Sequence, residues 1–412
     1  PAFTLLDTYK DSAMKLTMDT YAWGEQLYDN QEYDKSAEVY ASMGDFSDAQ
    51  ARANAARYAA AKEAFDAGKF EDAASRFYTL GDYKDSAELE KVARFSRAKE
   101  LLESGEYQTA KQMFTALANY SNSSDLAKEC DYRPAMALME EEKYQDALSA
   151  FKKLGNYRDS ATQVKECAYH LAVIMMDKGD YEQAAVAFDN LNDYSDSSAK
   201  AKECWYALAQ SYQSAGKVDE ALSIYHELGE YSDSEVQVLV CYYAKAVAVE
   251  KDGEYEQAYE LFLKADTHKD ADVKAHEMAY LAGRSYSSTG KYDTAIQWWE
   301  KAENYGDSKE QIFLIAEYYF STKRYEEAEA LYILLSENET SKQRLFELGQ
   351  YYELVGDNAK AYKAYKEARG YSDADGRAER MAGSLYQQAE ELMDQKAWKE
   401  AKDIYEQISE YL

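Results

Sequence analysis

A single period of 37 residues organises this 412-residue chain and leaves few folds open to it. The phrase LGDYKDS at 80–86 holds an aromatic position that returns as Tyr9, Phe46, Tyr83, Tyr120, Tyr157, Tyr194, Tyr231, His268 and Tyr305, and Tyr371 and Tyr411 continue the series after a break. A second register runs Tyr33, Phe70, Tyr107, Tyr144, Tyr181, Val218, Tyr255 and Tyr292, then shifts to Tyr325, Asn358 and Trp398. Alanines such as Ala73, Ala110, Ala147, Ala184, Ala328 and Ala401 stand three residues behind it. Three registers in step mark an array of like units.

Each unit reads as a helical hairpin. Residues 85–104 carry apolar Ala87, Val92, Phe95, Ala98, Leu101 and Leu102 mostly at steps of three and four, the signature of one amphipathic helix. Gly105 supplies the left-handed residue that ends it, and 107–118 forms a second, shorter helix. Only two prolines, Pro1 and Pro134, interrupt the chain, so helices run with few breakers. A lone hairpin cannot bury both of its apolar faces, whereas stacked copies cover one another and build a continuous core. The recurring alanine permits close approach of helices, with Phe114, Phe151, Phe188 and Phe262 filling the space beside it.

The pattern resembles that of tetratricopeptide repeat proteins. Ala98, Gly105, Tyr107, Ala110, Phe114 and Leu117 match the family's order of small residue, turn and second helix, and so do Ala172, Gly179, Tyr181, Ala184, Phe188 and Leu191. The resemblance implies an all-α, right-handed superhelical solenoid of about eleven helix-turn-helix repeats. Residues 1–308 are expected to hold the regular repeats, the first of them partial, and 309–412 a continuation with irregular lengths and a truncated last joint. Two shortened steps, from Tyr292 to Tyr325 and on to Asn358, and the motif-free stretch 334–345 predict a change of superhelical path there. The opening stretch PAFTLLDTYKDS is expected to begin inside a second helix, and ISEYL to stop inside a joint. The family's unit is about 34 residues, so the extra three are expected to lengthen the start of the first helix. The LGDYKDS form is similar to arrays of bacterial proteins, some anchored to membranes outside the repeats, which implies a cell-surface or extracytoplasmic place rather than a cytoplasmic one.

Catalytic chemistry finds little to stand on. The four histidines, His170, His226, His268 and His276, are scattered, and only the last two share a unit. His268 and His276 with Asp270 and Asp272 make a faint metal pattern, but His268 replaces the usual tyrosine of its register. Cys130, Cys167, Cys204 and Cys241 are 37 residues apart, and neighbouring units put Ala56, Ala93 and Met278 at the same place. The position therefore wants a small or medium apolar side chain, and buried free thiols are expected. No GxGxxG, GxxxxGK[ST] or GxSxG sequence occurs. The expectation is a non-enzyme with no catalytic residues, no metal and no cofactor.

With 47 basic against 77 acidic residues the net charge is −30, which repels nucleic-acid phosphates and anionic lipid, and no run of eighteen apolar residues exists to insert in a membrane. A protein or peptide partner is expected, with a basic or aromatic-rich one favoured. The candidate binding residues form a ladder two positions after the cysteine register: Tyr58, Phe95, Tyr132, Tyr169, Tyr206, Tyr243 and Tyr280, with Tyr21 as first rung. In the resembling family this part of the first helix faces the concave groove, so stacked rings would meet an extended partner. Packing of the same rings between helices is the competing reading. Alternatives to a binding scaffold are a structural spacer that self-associates through its repeat ends in a cell-envelope complex, and a regulatory segment of a larger protein. LGDYKDS itself is expected to be the joint, with Asp85 capping the next helix through its carboxylate and Glu88 completing a capping box.

Overall fold

The computed structural model describes residues 2–409, and side chains from residue 11 onward. Tyr9 and Tyr411, ends of the first register, lie outside the described side chains. Among the described residues there are twenty-two helices and no strand. The chain divides into two compact units, residues 1–204 and 205–412, so the change of repeat length near 309 lies within the second.

The first unit holds α1 (Ala2–Asp29), α2 (Tyr33–Ser42), α3 (Ala49–Asp66), α4 (Phe70–Leu80), α5 (Ser86–Glu103), α6 (Tyr107–Ala116), α7 (Ser123–Glu140), α8 (Tyr144–Leu154), α9 (Ser160–Lys178) and α10 (Tyr181–Asp189). The division falls within α11 (Ser197–Ser214). The second unit continues with α12 (Val218–Leu228), α13 (Ser234–Lys251), α14 (Tyr255–Ala265), α15 (Ala271–Ser288), α16 (Tyr292–Lys301), α17 (Ser308–Ser321), α18 (Tyr325–Leu334), α19 (Glu339–Val355), α20 (Asn358–Glu367), α21 (Ala374–Asp394) and α22 (Trp398–Ile408). Long first helices alternate with short second ones, so the all-α repeat solenoid is observed, with α5 and α6 within two residues of the spans expected from sequence.

Each hairpin is covered by the first helix of the next. Ala98, Leu101 and Leu102 of α5, Ala110 and Phe114 of α6 and Cys130 of α7 form one buried cluster, and Ala135, Ala147, Phe151 and Cys167 repeat it one unit on. The alanines of the ladder are fully buried, and so are the aromatic residues four positions behind them from Phe77 to Tyr365. All four cysteines are free and buried, and burial pushes the thiols of Cys130, Cys167 and Cys204 up to about 11. They therefore stay protonated and unreactive near neutrality.

The joint motif has a residue-by-residue explanation. Gly81 takes φ +52 and ψ −123, a region that side chains avoid, and Lys84 is left-handed at φ +53. The Ser86 amide then donates to the Tyr83 carbonyl, and the serine that follows the acid is buried in this and most other joints. Where the expectation of a joint at 6–12 fails, α1 runs through as one helix; Asp7 in place of the glycine does not account for it, since Asp266 holds that place, at φ +46 and ψ −117, in a joint that forms. The two shortened steps also differ from each other. The first shortens the leading helix to 14 residues, in α17. The second shortens the joint, so that α19 starts immediately after Asn338.

Three hairpins make room for a large ring with a glycine, although Ala209 and Ala316 face Tyr225 and Tyr332 in two others. Ala61, Ala98, Ala135 and Ala172 stand opposite Phe77, Phe114, Phe151 and Phe188, whereas Gly24, Gly283 and Gly349 stand opposite the larger Tyr40, Trp299 and Tyr365. A Cβ at Gly283 would lie 2.5 Å from the Trp299 ring. Gly283→Ala should therefore lower stability despite alanine's helix preference of about 1 kcal/mol, because overpacking of this kind costs about 1–3 kcal/mol. Urea denaturation checks it, and a stabilised variant would refute the packing match.

Candidate interaction surface

Along the first helices the ladder residues Tyr58, Phe95, Tyr132, Tyr169, Tyr206, Tyr243 and Tyr280 are all half-buried, as is Tyr21. One edge of each ring is fixed. Tyr58, Tyr132, Tyr169 and Tyr243 meet Phe77, Phe151, Phe188 and Phe262 edge-on at centroid distances of 5.4 to 5.9 Å. The joint aromatic closes from the other side: Tyr58 meets Tyr83 at 5.9 Å, Phe95 meets Tyr120 at 5.8 Å and Tyr243 meets His268 at 5.3 Å.

The hydroxyls have a common destination, the acid of the next joint. Tyr58 donates to Asp85 at 2.6 Å, Tyr132 to Asp159 at 2.6 Å, Tyr169 to Asp196 at 2.6 Å and Tyr243 to Asp270 at 2.6 Å. Tyr21 and Tyr280 donate likewise to Asp48 and Asp307 at 2.5 Å, and Tyr206 donates to Asp233. Each bond latches the middle of one first helix to the start of the next. The capping box expected at Asp85 is thus corrected. Its carboxylate makes no bond to the helix amides of α5, because the backbone at φ −102, ψ +20 is not the extended cap conformation and the tyrosine hydroxyl takes the oxygen. The second carboxylate oxygen is often held too, by Gln163 on Asp159 and Gln311 on Asp307.

Phe95 has no hydroxyl to give, and the matching residue of its joint is Asn122, the one position among these joints through 307 where the acid is absent. Where the repeat shortens, the ladder ring is Phe313, 5.8 Å from Tyr332 and with no hydroxyl to give, and one turn further on Glu317 is gripped by Arg344, 2.7 Å away. At Phe346 the acid Asp373 is held instead by Arg377, whose guanidinium also lies 5.3 Å from the Phe346 ring centre.

The remaining ring face meets a cation in several units. Lys84 lies 4.6 Å from the Tyr58 centroid, Arg158 5.1 Å from Tyr132 and Lys269 4.7 Å from Tyr243. These are the basic residues of YKDS, YRDS and HKDA. Ser195 and Ser232 replace them beside Tyr169 and Tyr206 and bring no charge. His268 occupies the joint aromatic position as expected, while His276 sits on α15 within 3.9 Å of Asp272 and Glu303. Among the described residues no group of three or more His, Cys, Asp and Glu is placed to hold a metal ion, and no helix is long and apolar enough to cross a membrane.

A family model described as a tetratricopeptide repeat matches residues 204–235, and one described as anaphase-promoting complex, cyclosome, subunit 3 matches 261–334. The chain carries tetratricopeptide repeats. Repeats of this kind serve in general as protein-interaction scaffolds. No curated protein sequence matches the chain. Among solved structures it is similar to the tetratricopeptide repeat domain of P58(IPK), at 16% identity over 81% of this chain and 99% of that one with a TM-score of 0.20. It is also similar to the C-terminal part of a tetratricopeptide repeat-containing protein from Cytophaga hutchinsonii, at 16% identity over 69% and 98% with a TM-score of 0.17. The apo form of RapI matches at 11% identity over 79% and 98%, with a TM-score of 0.17.

The latch in these repeats ties stability to pH at both ends. The tyrosine hydroxyl holds the carboxyls of Asp85, Asp159, Asp233, Asp270 and Asp307 below the usual range. A depressed carboxyl stabilises the fold above its unfolded value near 4, and that contribution is lost as pH falls through the folded value. Tyr58 and Tyr132 are pushed up to about 12, first by the bond to the acid and then by burial. Their contribution is complete below pH 10 and is lost as pH rises from 10 through 12. Tyr132→Phe should cost about 1 kcal/mol at neutral pH and flatten both limbs of a urea-midpoint profile against pH. Unchanged limbs would contradict the latch.

Proposed function

We propose that this chain is a non-catalytic scaffold that holds a protein or peptide along the ladder of its first helices, and that the partner presents basic side chains to the rings. The observation that carries this reading is the covering of the rings. Tyr58, Tyr132 and Tyr243 each have a lysine or arginine of their own chain at 4.6 to 5.1 Å, while the serines at 195 and 232 leave that role to another molecule at Tyr169 and Tyr206. A cation over a tyrosine face is worth about 0.5–1 kcal/mol at an exposed site and more when dehydrated. The net charge of −30 draws a basic segment toward the surface before any such contact forms. The latches support the same reading by fixing each ring without spending its outer face. No step of bond making or breaking enters this reading.

The test supplies the absent cations. Ser195→Lys and Ser232→Lys together should leave the melting temperature within a few degrees of the parent. They should weaken binding of a Lys- and Arg-rich peptide several-fold in isothermal titration at physiological salt. Gln183→Lys and Gln257→Lys together, an equal change of charge at exposed positions of α10 and α14, serve as control. Equal weakening by the control and by the serine changes would show that bulk charge alone attracts the peptide and would remove the rings from the site.

A further inference from the structure

One joint lacks the ring that every joint of the regular array carries. Phe46, Tyr83, Tyr120, Tyr157, Tyr194, Tyr231, His268 and Tyr305 plug the regular joints, and Tyr371 plugs the joint after α20. Each lies against a ladder ring, at 5.3 to 6.3 Å for all of them. Between α18 and α19 the register of Tyr305, carried through the shortened repeat, falls on Asn338. Its side chain turns to the helix and accepts from the Thr340 amide at 2.8 Å. An aromatic residue has become a helix cap, and nothing in the shortened joint replaces the ring.

A groove of about 570 Å³ is found at this place. Its walls are Phe313 and Leu314 of α17 and Leu334 and Leu335 at the end of α18, with Asn338 on its margin. In the register that puts the joint ring at 338, Glu310 stands where Glu277 lies beside the Tyr305 hydroxyl. The apolar surface is open, since Leu314 is 59% and Leu334 47% exposed. Volumes of roughly 300–1,000 Å³ with apolar walls and a few polar groups are those of specific pockets. Around the rim Glu310, Glu337 and Glu339 outnumber Lys309.

We infer that this groove receives an aromatic side chain of a peptide partner, flanked by a basic residue that pairs with the acidic rim. The partner's ring takes the place that the chain's own tyrosine fills in the other joints. The inference rests on the reading of the chain as a peptide-binding scaffold and names one point of contact and its chemistry. It concerns other residues than Tyr169 and Tyr206, because the ring in its wall is Phe313, the ladder ring of α17, at a joint without a plug.

The probe is a fluorescein-labelled peptide with the core Gly-Lys-Phe-Lys-Gly, compared with Gly-Lys-Ala-Lys-Gly, in fluorescence polarisation with the whole chain. The phenylalanine peptide should bind at least ten-fold more tightly. Leu314→Glu, on an exposed position, should abolish that preference while leaving the melting temperature unchanged; should it destabilise the fold, Leu334→Gln gives the same reading. Asn338→Tyr, which returns a ring to the joint, should also abolish the preference. Equal affinity for the two peptides, or a preference that survives Leu314→Glu and Asn338→Tyr, overturns the inference. If Leu314→Glu leaves binding of a basic peptide at Tyr169 and Tyr206 intact while the phenylalanine preference is lost, the groove is confirmed as a separate contact. If basic peptides bind and the serine changes weaken them, but no phenylalanine preference exists, the scaffold reading stands and the groove alone is refuted.

Discussion

The bond from a tyrosine hydroxyl of one first helix to the acid at the start of the next is the contact on which the order of these repeats depends. Hydrophobic stacking is strong but non-directional, and alanine and phenylalanine faces alone allow neighbouring hairpins to slide. A short charge-assisted hydrogen bond has one satisfactory geometry. Made between the middle of one first helix and the start of the next, it fixes how far one hairpin is advanced on its neighbour. The same short joint supplies the other constraints: a glycine and a left-handed residue turn the chain, an aromatic plugs the corner, a basic residue lies over the ring, and a buried serine closes the turn. The polar residues of LGDYKDS are consumed in making one corner.

That use of chemistry bears on function. A carboxylate held by a phenol and by a glutamine is positioned but not poised to accept a proton near neutrality, and its depressed pKa makes it a poor base. The cysteines are buried thiols with raised pKa values, so they too are structural. What the repeats leave for a partner is area rather than reactivity: half-buried rings at regular intervals, acidic margins, and in the second unit one joint without its plug. Protein-binding surfaces commonly join an aromatic anchor to a charged rim, and both are present here.

Much of the fold was legible in the sequence because periodicity reports packing directly. Ala147 and Phe151 recur since they meet another helix in every unit, and the cysteine register reads correctly as a buried apolar position because alanine and methionine share it. The site was less legible. Asp85 precedes a helix with Glu88 three residues on, and that local pattern predicts a capping box; the competing acceptor contact, with Tyr58, is a tertiary one that no local rule sees. A signal for it existed in the replacement of Tyr by Phe95 together with that of Asp by Asn122. The missing joint at residues 6–12 has no signal in the motif, since an aspartate at the glycine position, Asp266, is compatible with a joint; the unfilled joint at 335–338 follows from Asn338 in place of tyrosine, whose consequence needs the neighbouring helices to be evaluated.

The central claim is that the hydroxyl and the acid act as a pair between successive hairpins, and the natural Phe95–Asn122 gap offers its most direct test. Urea denaturation of Phe95→Tyr, Asn122→Asp and the double variant measures the coupling between the two positions. The account predicts that the double variant is more stable than the sum of the single changes by about 0.5–1.5 kcal/mol, the usual net worth of one such bond. Strictly additive effects would show that the two positions do not interact and that the latch contributes nothing to the order of the repeats.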